Sequence, residues 1–151
     1  MPKTIISDTS CFIILRNIGE LELLQKVYGQ VVTTLEIANE YGEPLPEWVE
    51  ISTVKDKYRQ QLLEMQIDKG ESSAIALAIE IPNSTIILDD YKARKIAKQL
   101  GITFTGTLGV IIKAKLKKII PSIKPLLDKI KQTNFRLSAE IELQALKEAD
   151  E

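Results

Sequence analysis

The 151-residue sequence contains no histidine and only one cysteine. The first absence removes histidine general bases, histidine-containing triads and zinc sites built on imidazole. The second removes internal disulfides and cysteine-rich zinc sites. Any metal must therefore sit on oxygen ligands, which suits Mg²⁺ or Mn²⁺. Long apolar runs are missing too, so no membrane span is expected. The apolar stretch near the start is too short for a signal peptide and runs straight into Asp8, so a cytoplasmic protein is expected.

What is present is ordinary for one globular domain: 44% hydrophobic and 27% charged residues. The net charge of −1 is unevenly spread. Residues 1–90 carry 7 basic and 15 acidic side chains, residues 91–136 carry 12 and 1, and residues 137–151 carry 1 and 5. Such a chain can set an acidic site beside a basic surface suited to a polyanion. Lysine-rich helices with merely solvated faces are the alternative.

Apolar patterning predicts strands over 3–7, 30–33, 85–88 and 102–105, with an extended segment over 48–53. Helices are predicted over 10–17, 20–28, 35–41, 54–66, 71–81, 91–100, 107–118 and 121–132, and Ser138 opens a last, acidic one. Residues 68–70 read as a turn. Alternating strands and helices argue for an α/β fold with a parallel sheet covered on both faces. The division expected is a main unit over 1–136 and an acidic C-terminal helix or tail over 137–151. Cys11, Tyr41 and Trp48 read as core.

In open parallel sheets, sites form beyond the carboxyl ends of the strands. Asp8 and the pair Asp89-Asp90 follow apolar strands and fall at such ends. Each acid has an ordinary explanation. Asp8, Asp89 or Asp90 can cap a helix. Glu36 and Glu40 share a helix face, one of them on the solvent side, and Glu71 suits the first turn of a helix. Together they suggest more, because clustered carboxylates need neutralising and a divalent ion is the usual means. Such an ion lowers the pKa of bound water and stabilises in-line phosphoryl displacement without any histidine.

The ordered motifs resemble those of PIN domains. Ile5-Ile6-Ser7-Asp8-Thr9-Ser10 is similar to the family's opening strand and D-[TA]-S motif. The segment from Val31 to Tyr41 resembles its second strand and following helix, with Glu40 on the second acid. Gly70-Glu71 and the small-residue helix after it resemble the element bearing the third acid. Ile86-Ile87-Leu88-Asp89-Asp90 resembles the strand ending in T-x-D, with Asp90 on the fourth acid and Asp89 on a variable position. Thr105-Gly106-Thr107-Leu108-Gly109 is similar to a turn in a PIN-like branch of prokaryotic proteins. The resemblance runs from about Lys3 to at least Arg136. Leu88 departs from the family's threonine and Glu71 from its commoner aspartate. A longer carboxylate shifts any ion it holds, so metal binding is expected ahead of cleavage.

The resemblance implies a PIN-like three-layer α/β/α sandwich with a central, mostly parallel sheet of four to five strands. It implies a ribonuclease, commonly the VapC-type toxin of a toxin–antitoxin pair, with Asp8, Glu40, Glu71 and Asp90 as catalytic acids. These four, with Asp89, are the expected ligands of Mg²⁺ or Mn²⁺. Ser10, Thr105, Thr107, Lys92, Arg94, Lys113 and Lys117 are the expected phosphate or RNA contacts. RNA, a small antitoxin protein and a second copy of the chain are the expected partners. The acidic tail either stays solvated or folds over the basic helices and restrains RNA contact. A haloacid-dehalogenase-like phosphatase is disfavoured, because it needs a second aspartate two residues after the first and Ser10 stands there. A receiver domain needs its acidic pair after the first strand, whereas here the pair comes late. A PIN fold that binds or assembles without turnover is the remaining alternative.

Overall fold

A computed structural model describes residues 3–151, so the first two residues of the expected 1–136 unit lie outside the described residues. The elements are β1 (Thr4–Ser7), α1 (Thr9–Asn17), α2 (Leu23–Tyr28), β2 (Val31–Thr34), α3 (Leu35–Tyr41), β3 (Val49–Ser52), α4 (Lys57–Leu63) and α5 (Lys69–Glu80). They continue with β4 (Ser84–Ile87), α6 (Tyr91–Gln99), β5 (Thr103–Thr105), α7 (Thr107–Leu116), α8 (Lys124–Lys131) and α9 (Ala139–Glu148).

The strands form one five-stranded sheet in the order β3-β2-β1-β4-β5, and all four pairings are parallel. The fold is therefore the expected α/β arrangement, with helices flanking an all-parallel sheet. β1 and β4 sit at its centre, and Ile5, Ile6, Ile86 and Ile87 are buried. Burial on both faces explains why these strands read as continuous β-branched runs rather than as alternating ones.

From β1 the chain steps outward to β2 and β3, then crosses back to β4 and steps outward again to β5. Right-handed crossovers send the helices of the two directions to opposite faces. Accordingly α5 packs on β1, β2 and β4, while α1 and α2 pack against α7. The order reverses between β1 and β4, which makes their carboxyl ends the switch point where such sheets bind ligands.

Several boundaries differ from those the pattern predicts. α4 spans Lys57–Leu63 rather than 54–66 because Asp56 caps it, accepting from the Arg59 amide at 3.0 Å. Residues 68–70 are not a free turn: Asp68 caps α5, which begins at Lys69. β4 ends at Ile87, so Leu88 separates the strand from Asp89. Cys11 and Tyr41 are buried, and Trp48 packs against the core from a partly buried position. The acidic α9 packs on α7. Lys131 meets Glu142 at 2.6 Å, Lys115 Nζ donates to the Ala149 carbonyl at 2.6 Å, and Glu151 accepts from the Ser122 hydroxyl at 2.5 Å and the Ile123 amide at 2.7 Å. No described helix is long and apolar enough to cross a membrane.

Candidate active site

Asp8 and Asp89 leave neighbouring strands at the switch point, in a register that sets Ser7 opposite Ile87. Asp8 caps α1. One of its oxygens accepts from the Cys11 amide at 2.9 Å and the other from the Asp89 amide at 3.1 Å. A capping role and a site role therefore coincide, since capping holds a carboxylate rigidly where the strands end. Burial, and next the charge of Asp89, push the Asp8 carboxyl well above the usual carboxylate range, against the pull of those two amide hydrogen bonds.

Three more acids join Asp8. Asp8, Thr9, Ser10, Glu40, Asp68 and Glu71 line one cavity of about 90 Å³. Glu40 comes from the last turn of α3. Thr34 starts that helix by accepting from the Ile37 amide at 3.2 Å, and its hydroxyl lies 2.6 Å from that of Ser73 on α5. The pair of hydroxyls fixes α3 against α5 and so brings Glu40 to Glu71. Gly70 permits the approach, because a Cβ there would lie 3.2 Å from Glu40 Oε1. Asp68 caps α5 by accepting from the Glu71 amide at 2.8 Å. Burial, then the charges of Asp68 and Asp90, push the Glu71 carboxyl up to about 7.

Asp90 stands at the rim. It is exposed, caps α6 by accepting from the Ala93 amide at 2.9 Å, and its charge reaches Glu71. Asp89, also expected as a metal ligand, lies outside the lining of that cavity. Both of its oxygens are engaged by Thr107, one by the backbone amide at 2.9 Å and the other by the hydroxyl at 2.6 Å. It clamps the start of α7, whose own cap residue, Gly106, has no side chain to do so. Glu36 also lies apart, accepting from Gln60 at 2.7 Å and pairing with Lys57 at 3.5 Å.

The expected phosphate contacts separate in space. Ser10 lines the acidic cavity. Thr107 is buried with its hydroxyl spent on Asp89, so it has none to offer a phosphate. Thr105 is partly buried beside Gly109. Lys92 is exposed two residues beyond Asp90, and Arg94 donates to the Leu88 carbonyl at 2.6 Å. Lys113 and Lys117 are not brought to the carboxylates. Helix α7 starts at Thr107, beside Asp89, and carries them roughly 10–15 Å along its axis at about 1.5 Å per residue. There Lys117 donates to the Val27 carbonyl at 3.1 Å and Lys113 lies 5.1 Å from the Tyr28 ring.

Asp68 is the member of the cavity that pattern reading missed. Its signal was available: an acid three residues before Glu71, ahead of an apolar helix, is the capping-box spacing.

Among the described residues, no ion pair involves Asp8, Glu40, Asp68, Glu71, Asp89 or Asp90. Thr9 adds a buried hydroxyl with no hydrogen-bond partner in the wall of the same cavity. An all-oxygen, uncompensated donor set of this kind fits a hard divalent cation. Among the described residues, no three or more acids stand close enough together to form a metal-holding group.

A family model described as a PIN domain matches residues 4–151. The chain belongs to the PIN-domain family. PIN domains are generally nucleases, bind RNA and typically use divalent metals. No curated protein and no solved structure matches this PIN domain.

Proposed function

We propose that this PIN domain is a Mg²⁺- or Mn²⁺-dependent endoribonuclease that serves as the toxin of a type II toxin–antitoxin pair. The observation that supports it most is the gathering of Asp8, Glu40, Asp68 and Glu71 around one cavity with no cationic partner among the described residues. Asp8, Glu40 and Glu71 hold the ion, with Asp90 at the rim. When bound, it supplies a water of lowered pKa and stabilises charge on the phosphodiester.

The chain's own residues do the rest. The Cys11 and Asp89 amides lock the Asp8 carboxylate in place. Asp68 and Thr34 fix the helices that carry Glu71 and Glu40. Ser10, at the positive end of α1, faces a phosphate entering the cavity. Lys92 and Arg94 follow Asp90 and attract the RNA backbone, an attraction that salt weakens. An antitoxin would dock on the acidic cavity with a cationic side chain. The toxin role and the homodimer rest on the family resemblance.

The test is a mixed RNA pool incubated with purified protein in Mn²⁺ or Mg²⁺, against EDTA and an Asp8→Asn control. Cleavage that needs both metal and Asp8 is expected. Cleavage that survives Asp8→Asn contradicts the assignment. The lack of a ready-made metal-holding group among the described residues favours one second reading, a PIN fold that binds without turnover. RNA binding by both proteins with cleavage by neither would support that instead.

A further inference from the structure

A second hollow is bordered by Asp89, whose backbone amide donates to Asp8 of the acidic cavity. Its volume is about 460 Å³, within the roughly 300–1,000 Å³ typical of small-ligand pockets. β5 and the start of α7 form one side, and α9 with the segment before it forms the other. Phe104, Leu108, Ile112, Phe135 and Ile141 make the walls apolar; Arg94 and Arg136 bring positive charge, and Asp89, held by Thr107, and Glu148, held by Gln144, bring negative charge.

The charge pattern points to one kind of occupant. Neither arginine has a carboxylate partner among the described residues. The Arg94 guanidinium lies 5.2 Å from the Phe104 ring, and only its Nε is committed, to the Leu88 carbonyl. Gln144 and Glu148, bonded to each other at 3.2 Å, add donors and acceptors to the wall. Arg94 and Phe104 also border a neighbouring hollow with Tyr91, Lys95 and Lys98 on α6. Those two lysines and Lys92 likewise have no ion pair among the described residues, in contrast to Lys115 and Lys131, which pair with Glu151 and Glu142. An unpaired basic and aromatic track thus runs from Asp90, beside the acids, into an aromatic-walled hollow. A base has a π-face for the rings, and its phosphates suit the unpaired cations.

We propose that this hollow holds one unstacked base of single-stranded RNA, adjacent to the scissile phosphate, with the RNA backbone lying along α6. The site thereby sets base preference. The inference deepens the nuclease reading and rests on it.

The test uses the full chain in EDTA, where binding is read apart from cleavage. Short fluorescein-labelled oligoribonucleotides of A, C, U or mixed sequence are titrated by anisotropy. Two substitutions at exposed positions leave the core alone: Arg136→Glu reverses a charge, and Gln144→Trp fills the hollow. Each should weaken binding about tenfold, the scale of losing one stacked base, and flatten the preference among bases. Their thermal midpoints and stabilisation by Mn²⁺ should match wild type. Wild-type affinity and base preference in both variants would overturn the proposal. The two readings fail separately. Metal-dependent cleavage whose sites both variants leave unchanged sinks the base site and spares the nuclease. Base-selective binding lost in both variants, with no cleavage in any metal, supports the base site and sinks the nuclease.

Discussion

Charge is handled in opposite ways at two places in this molecule. Where α7, α8 and α9 meet, Lys131 faces Glu142 at 2.6 Å, and Lys115 sits 3.9 Å from Glu151 while donating to the Ala149 carbonyl. These charges are answered from within the chain. At the carboxyl edge of the sheet, Asp8, Glu40, Asp68 and Glu71 share a cavity and no described cation pairs with them. The backbone amides of Cys11, Asp89 and Glu71 hold two of these acids where they repel the others. The difference teaches what each region is for. The paired corner has its own counter-charges, whereas acids held together by caps without one fit the cation proposed above.

Asp89 is the boundary case, because it lies in the acidic region yet is satisfied. Thr107→Val removes one of its two partners and leaves a partly buried carboxylate oxygen unanswered. The expected loss is about 1–3 kcal/mol, the largest stability effect anticipated, and urea denaturation checks it. A loss near zero would mean that Asp89 is free after all and belongs with the unpaired acids.

The second way to sharpen the contrast is pH. The folded-state pKa of Glu71 is raised from 4.5 to about 7, and that of Asp8 is raised as well. Between these values the folded protein binds more protons than the unfolded chain, so stability falls as pH rises. Metal-free protein should therefore melt at progressively lower temperature from about pH 4.5 to about pH 7, and Glu71→Gln should flatten the slope. Added Mn²⁺ should raise the midpoint more at the upper end of the window, where the acids are ionised. A metal-free midpoint that climbs across the same window would contradict the repulsion inferred here.

Gly70→Ala is a subtler probe. Alanine favours a helix by at most about 1 kcal/mol, but its Cβ would press on Glu40 Oε1 from 3.2 Å. Thermal midpoints with and without Mn²⁺ should show near-normal metal-free stability and a weakened metal response. An unchanged metal response would remove Glu40 from the ion's surroundings. The smallest effect belongs to the paired corner. Glu142→Gln should cost little, and high salt should shrink the difference, because the lysine side of this pair is open to solvent and screened.

Much of this was legible before the structure. Apolar runs ending in Asp8 and Asp89-Asp90 revealed the parallel sheet and its acidic edge, because side chains buried on both faces leave a continuous β-branched signature. What pattern reading could not supply was direction. Asp89 and Asp90 are neighbours, yet one turns inward to Thr107 and the other outward to cap α6. Lys113 and Lys117 follow the Thr107 motif closely in the chain, but a helix carries them away from the acids to Val27 and Tyr28. Glu36 and Glu40 share a helix face, and only the packing of α4 assigns the first to Gln60 and Lys57. The spacing of Asp68 to Glu71 marks a helix cap in the sequence, but its place in the cavity follows only from the packing of α5 against α3.

The most direct test is a calorimetric titration of Mn²⁺ into metal-free protein near neutral pH, with Asp8→Asn beside it. The account predicts saturable binding by wild type with release of protons, and binding weakened tenfold or more in the variant, on the scale of losing a metal-site group. No binding by folded wild type, or equal binding by the two proteins, would contradict it.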